Sequence, residues 1–238
     1  ARFINTNIEW QDKASVEIAA GRTLRFEKST MELDGLLSKT GSGVLKLDRL
    51  VLLDNASYSG STTAEVQSLE LDNNTLTLET ETSDLEVINN LTLDDSREII
   101  NTGQADMIVD SFLSLDNGSI FTGTGELNLR KGGLQSGDIS VNGGILAIGD
   151  NFTKTAGILS LSDNATLRLD NDVLVTSNDN LTVPVINLNN HSLTLGSAST
   201  DLRVEEPFSL DQPGDNLISK LADLHFAKGV RMDDGELT

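Results

Sequence analysis

Short apolar-polar-apolar triplets recur along the chain at a nearly fixed period. The clearest run is Leu69-Glu70-Leu71, Leu76-Thr77-Leu78, Leu85-Glu86-Val87 and Leu91-Thr92-Leu93, whose starts lie 7, 9 and 6 residues apart. Successive side chains on a strand point to opposite faces, so each triplet predicts a short strand with two side chains inward and one outward. Three such strands per cycle, begun again after 22 residues, predict a coil of stacked parallel rungs.

One strand per cycle can be followed by the quartet apolar-x-apolar-turn residue. It starts at Leu24, Leu45, Leu69, Leu91, Leu113, Leu127, Leu146, Leu167, Ile186, Phe208 and Val230, at intervals of 21, 24, 22, 22, 14, 19, 21, 19, 22 and 22. Two stretches break the rhythm. Around residues 54–66 the longer cycle leaves room for an extended loop. Between 117 and 145 an extra quartet at Leu127 among many glycines predicts a short rung or an insertion. Residues 215–226 carry a weak helical pattern, but the period returns on time at Val230 and favours strands at 216–218 and 224–226. The expectation is an all-β chain: one continuous parallel β-solenoid over residues 1–238, about ten rungs of roughly 21 residues with three short strands each. The pattern is already running at Ile8-Glu9-Trp10 and still running at Val230–Asp233 without polar caps. That suggests a segment of a longer coil, or one capped by an oligomeric partner.

Asp and Asn cluster between the strands, as in Asp54-Asn55, Asp72-Asn73, Asn117-Gly118 and Asn189-Asn190. Both tolerate the left-handed region and bond nearby backbone, which suits corners. Stacked quartets would place Asp48, Asp72, Asp94 and Asp116 in one column at the strand spacing. Carboxylates so close must be solvated, hydrogen-bonded or bridged by a cation. Solvated corners are one reading and a Ca²⁺ ladder the other, although the Gly-Gly-x-Gly-x-Asp nonapeptide of such ladders is missing.

Composition narrows the function classes. The net charge is −20, which opposes binding to nucleic acid or anionic membrane, since phosphate neutralisation needs clustered Lys and Arg. Aromatics make up only 4%, so the core must be aliphatic. There is no cysteine, which removes disulfides and thiolate chemistry. No apolar run reaches the length needed to span a bilayer, so membrane insertion by this segment is not expected.

Residues 36–71 add a resemblance. Leu37-Ser38-Lys39-Thr40-Gly41-Ser42-Gly43-Val44-Leu45-Lys46-Leu47, followed by Asn55-Ala56-Ser57-Tyr58-Ser59-Gly60-Ser61-Thr62, resembles the passenger-associated repeat of bacterial autotransporters. Thr122-Gly123-Thr124-Gly125-Glu126-Leu127-Asn128-Leu129 echoes its first half. After Thr62 the usual Gly-x-Leu is replaced by Glu65-Val66-Gln67-Ser68-Leu69. The resemblance implies a right-handed parallel β-helix displayed on, or released from, a bacterial surface as an adhesin passenger.

Motifs for chemistry are scarce, and no catalytic residue is assigned. His191 falls in a turn and His225 is the outward residue of an expected strand. Neither a Gly-x-Ser-x-Gly elbow nor His-Glu-x-x-His is present. Polysaccharide lyases and glycosidases share this architecture and need two carboxylates across a groove, but no acidic cluster marks the expected first face. Trp10 and Tyr58 are the aromatic residues available as an exposed sugar platform. The two irregular stretches make Tyr58, Asn117 and Gly118 the candidate binding positions. Thr77, Thr92, Thr182 and Thr194 point outward on different faces and form no ice-matching column. Eight Asn-x-Ser/Thr sequons begin at Asn55, Asn73, Asn90, Asn117, Asn151, Asn164, Asn180 and Asn190, against about four expected from composition, so glycosylation is open. The expected role is an extracellular adhesive or spacer segment meeting a glycan or protein of a host or neighbouring cell. End-to-end self-association into a fibre is the alternative.

Overall fold

The computed structural model describes all residues, Ala1–Thr238, and its regular elements are strands alone. Every strand pair is parallel, and the chain completes about eleven turns with a spacing of about 21 residues, in agreement with the periodicity of the sequence. Each turn visits three faces in order. Thr23–Glu27, Thr30–Leu33 and Leu36–Thr40 form one turn, and Leu85–Val87, Leu91–Leu93 and Ile99–Gly103 another. Stretch 215–226 is extended, with strands Asn216–Ile218 and Leu224–Phe226.

The triplets behave as expected. Strands such as Leu91–Leu93 and Phe208–Leu210 read buried-exposed-buried. Their inward side chains merge into one cluster of 53 buried residues running through the coil. Like stacks on like: Leu91 on Leu113 and Leu93 on Leu115. A fully buried leucine contributes about 1.5–3 kcal/mol, so the aliphatic column is the main stabilising term.

Both expected irregularities are corrected by the strand register. Leu45 pairs with Ala64, not Leu69, and Leu69 pairs with Leu50. The 24-residue interval is therefore a step from the first face to the second, and residues 54–66 hold no extended loop. The two faces merge here into continuous strands, Val44–Leu52 and Ala64–Glu70, whose bends are marked by two successive residues that are not buried. Likewise Leu113 pairs with Gly133, while Leu127 pairs with Met107 below and Leu146 above. The 14-residue interval is the step back to the first face, and 117–145 carries no insertion.

Glycine is dense there because these turns are among the shortest and their corners the tightest. A Cβ on Gly137 would lie 2.1 Å from the Gly118 carbonyl oxygen, and one on Gly144 would lie 2.1 Å from that of Gly125. Only glycine lets consecutive corners stack this closely.

Elsewhere Asp and Asn solve the corner problem differently. A corner lifts backbone N–H groups out of the ladder, and they need acceptors. Asn55 accepts the Thr75 amide at 2.8 Å, Asp106 that of Glu126 at 2.8 Å, Asp138 that of Ile158 at 2.8 Å and Asp172 that of Ser192 at 2.8 Å. The acceptor lies one turn below its donor. These side chains bond the next turn, not merely their own backbone as the sequence suggests.

Near the other end the register slides. Phe152 pairs with Val175, but Val173 pairs with Leu193. Beyond this point the third-face strands Leu181–Val183, Leu202–Val204 and Leu224–Phe226 form their own short sheet.

Candidate binding grooves

The coil has three depressions. The first is apolar, lined by Phe3, Ile8, Trp10, Ile18 and Phe26 among others. The second is polar, about 540 Å³, on the second face over the turns between Arg49 and Glu98. The third, about 230 Å³, lies on the third face between Asn180 and His225.

The second-face groove is built from three positions repeated on successive turns. The strand ends contribute Ser68 and Asn90, the outward middles Glu70 and Thr92, and the following corner Asp72 and Asp94. Arg49 donates from Nε to Glu70 at 2.8 Å and pairs with it again through its terminal nitrogen. That contact holds the Glu70 carboxyl below the usual carboxylate range and raises the guanidinium. Glu98 is buried and committed as well, accepting the Asp94 amide at 2.7 Å and the Asp95 amide at 3.2 Å. Asp72 and Asp94 remain exposed, their carboxylates free of any hydrogen bond. The left-handed backbone of Asp72 and Asn73, φ 48° and 68°, turns this corner. Hydroxyl, amide and carboxylate groups thus face solvent with no aromatic wall, an array suited to hydrogen-bonding a polyhydroxylated ligand.

Of the four aspartates expected in one column, the structure brings Asp72 and Asp94 to this groove. Asp116 lies one turn further on, where Leu115 stacks on Leu93. Asp48 does not belong with them. It lies between Leu47 and Arg49, which pair with Val66 and Ser68 at the bend between the first two faces, and its carboxylate accepts the Lys28 amide. No group of three or more His, Asp or Glu side chains is arranged so that it could hold a metal ion.

Each candidate position near residues 54–66 and 117–145 makes or permits a close contact with a neighbouring segment of the coil. Tyr58 is 4% exposed, which corrects its reading as a surface platform. Its phenol donates to the Thr62 carbonyl at 3.1 Å, and burial pushes its ionisation well above the ordinary range, helped by nearby Asp84. Asn117 is exposed, yet its amide donates to the Asp94 carbonyl at 3.2 Å. Gly118 is buried, and a Cβ there would lie 2.6 Å from that of Leu93.

Tyr58 belongs to a buried staple made from the very residues that carry the family resemblance. Lys39 points inward, 2% exposed, with its amine against the Thr62 hydroxyl and 3.4 Å from the Gly41 carbonyl. Thr62 donates in turn to the Gly43 carbonyl at 3.1 Å, and Ser61 to that of Gly41 at 2.7 Å. Gly60 leaves the space the phenol fills. Without a carboxylate partner the buried amine is pushed below the ordinary lysine range. The Lys-Gly-Gly and Tyr-Gly-Thr spacing therefore encodes a corner clamp between two turns.

A second polar feature escaped sequence reading. On the first face Arg168 reaches down two turns to Glu126 at 2.7 and 2.8 Å and also holds Asp170 at 2.7 Å, while Asn128 donates to both carboxylates. Ala147, the outward residue between Asn128 and Arg168 in the register, is wholly buried. The Arg168 hydrogen bond lowers the Asp170 pKa. A small residue in an outward position was the available signal.

Comparison of the chain with protein-family models, with curated proteins and with solved structures finds no match.

Proposed function

We propose that this chain is an extracellular adhesive or spacer segment of a bacterial surface or secreted protein, of the autotransporter-passenger kind. The observation that carries the reading is the polar groove that spans successive turns of the second face. It offers free Asp72 and Asp94 carboxylates with Ser68, Asn90 and Thr92, and it runs along the coil instead of closing into a pocket. Extended grooves of this kind suit a chain-like glycan, contacted weakly at each turn and tightly in sum. The corner clamp from Lys39 to Thr62 supports the family assignment, because it gives the resembling residues one shared physical task.

We read the groove as binding, not turnover. Glu70 and Glu98 are already engaged, and no histidine, lysine or tyrosine lines it. The test is a glycan array probed with the wild-type chain and with Asp72→Ala/Asp94→Ala, alongside a product assay on any glycan retained. Retention lost in the double variant supports the proposal. Turnover of the retained glycan would shift the reading to a polysaccharide-degrading enzyme. No retention, with particle length growing with concentration, would shift it to a self-assembling fibre.

A further inference from the structure

The third-face depression has a different chemistry. Strands Leu181–Val183, Leu202–Val204 and Leu224–Phe226 pair in register, so Thr182, Arg203 and His225 form one outward column. The residues two positions earlier, Asn180, Asp201 and Asp223, form a second column and line the same cavity. Neighbouring groups lie roughly 4.8 Å apart along the coil and about 6.5–7 Å apart along a strand, close enough for several of them to reach one small ligand.

Arg203 stands apart from most arginines of this acidic chain. Arg97, Arg130, Arg168 and Arg231 each hold a carboxylate at 3.0 Å or closer. Arg203 has only Glu205, with 3.8 Å between Nε and the nearest oxygen, and its guanidinium makes no hydrogen bond. The His225 ring is exposed and makes none either. Asp201 uses one oxygen to accept the Asp223 amide at 2.9 Å, leaving the other free, and the Asp223 carboxylate accepts nothing. The cavity thus presents an open guanidinium fork and an imidazole beside two carboxylates and an amide.

Each simpler ligand leaves part of this set unused. A small anion would satisfy Arg203 but would face Asp201 and Asp223 with nothing to donate to them. A neutral sugar would satisfy the carboxylates and leave the fork empty. A planar carboxylate matches a guanidinium through two parallel hydrogen bonds, and ring hydroxyls donate well to carboxylates. We propose that this depression is a subsite for a carboxylated sugar. Its carboxylate lies on Arg203 and His225, displacing the loose Glu205 contact, and its hydroxyls on Asp201, Asp223 and Asn180. The site shares no residue with the second-face groove and stands or falls apart from it.

The test titrates the intact chain with galacturonate, glucuronate and N-acetylneuraminate, with galactose and acetate as controls, following amide chemical shifts. At least one carboxylated sugar should bind ten times or more tightly than both controls, with shifts centred on residues 180–182, 201–203 and 223–225. Arg203→Gln should weaken that binding at least tenfold, and Asp201→Asn/Asp223→Asn severalfold. Lys131→Gln, the same charge change on an exposed lysine elsewhere, should leave it unaltered. All these side chains lie at the surface, so an unchanged circular dichroism spectrum and midpoint confirm that the variants fold. Equal binding of acetate or of galactose overturns the proposal, as does full affinity in Arg203→Gln or no binding by any carboxylated sugar.

Discussion

Replacing Gly137 by alanine tests how the coil closes its tightest corners. The new Cβ would lie 2.1 Å from the Gly118 oxygen and 3.1 Å from the Gly118 nitrogen, well inside van der Waals contact. That oxygen is also the acceptor for the Asp138 amide at 3.0 Å, and Gly137 itself donates to Leu115 at 3.1 Å. Relief of the clash must lift one turn from the next, at about 1–3 kcal/mol for overpacking and about 1 kcal/mol for each of the two weakened hydrogen bonds, or about 3–5 kcal/mol in all. Gly21 provides the contrast. Its φ is +69° with nothing within 4 Å of an added Cβ, so Gly21→Ala carries backbone strain alone, about 1 kcal/mol. Because contacts in a coil run between neighbouring turns, the damage should be local. Hydrogen exchange should show lost protection at Ser136–Asp138 and in the turns directly above and below, with distant turns spared. Urea unfolding should place Gly137→Ala clearly below Gly21→Ala. Equal midpoints, or unchanged exchange at residues 136–138, would refute the account of glycine at these corners.

Other expectations follow from the ionisable groups. Arg168→Met should lower stability at pH 7 by about 1–2 kcal/mol, since Glu126 and Asp170 lose a common partner. Asp170 titrates below its usual value when folded, so its contribution is full above the unfolded pKa of about 3.9 and is lost as pH falls through the depressed folded value. The gap between variant and wild-type unfolding midpoints should therefore narrow on acidification. Asp84 has the opposite sign: burial first, then repulsion from Asp106, raises its pKa and penalises the ionised form at neutral pH. Asp84→Asn keeps an acceptor for the Asp106 amide and should raise the midpoint slightly at pH 7, the gain fading as pH falls through the raised pKa. Tyr58 is the only tyrosine in the chain, so absorbance near 295 nm reports it alone. Its phenolate should appear only when the coil unfolds at high pH, and a reversible titration near pH 10 in the folded state would contradict its burial.

The fold was legible because the signal was periodic and repeated. Leu91, Leu93, Leu113 and Leu115 lie two apart on strands and one turn apart in sequence, and three such triplets per period point to a stacked coil. What sequence could not resolve was phase. The first and second faces share the same apolar-x-apolar-turn pattern, so the count passed from Leu45 to Leu69 and from Leu113 to Leu127 without a visible seam. Two regular stretches looked irregular for that reason, and Asp48 joined a column to which it does not belong. The sites were less legible still. Tyr58 and Lys39 sit in positions whose burial depends on Thr62 and Gly60 from neighbouring strands, and polarity alone places such residues outside. The Arg203 cavity depends on which turns stack, so no single stretch of sequence displays it.

The rise per turn has an electrostatic consequence. About eleven turns at roughly 4.8 Å each give a rod near 50 Å long. A net charge of −20 over that length is roughly one elementary charge per 2.5 Å, approaching the one per ~1.7 Å of duplex DNA. Much of it sits on corner carboxylates whose hydrogen-bonding task an asparagine performs equally well, as Asn55 and Asn151 do. Charge density is thus a property this coil can vary without altering its backbone. At its present value the molecule is a short rigid polyanion with a counterion atmosphere. Side-by-side approach of two such rods is held off beyond the Debye length, about 10 Å at 0.1 M salt. Adding salt or divalent cations shortens that range and lets two such rods approach side by side.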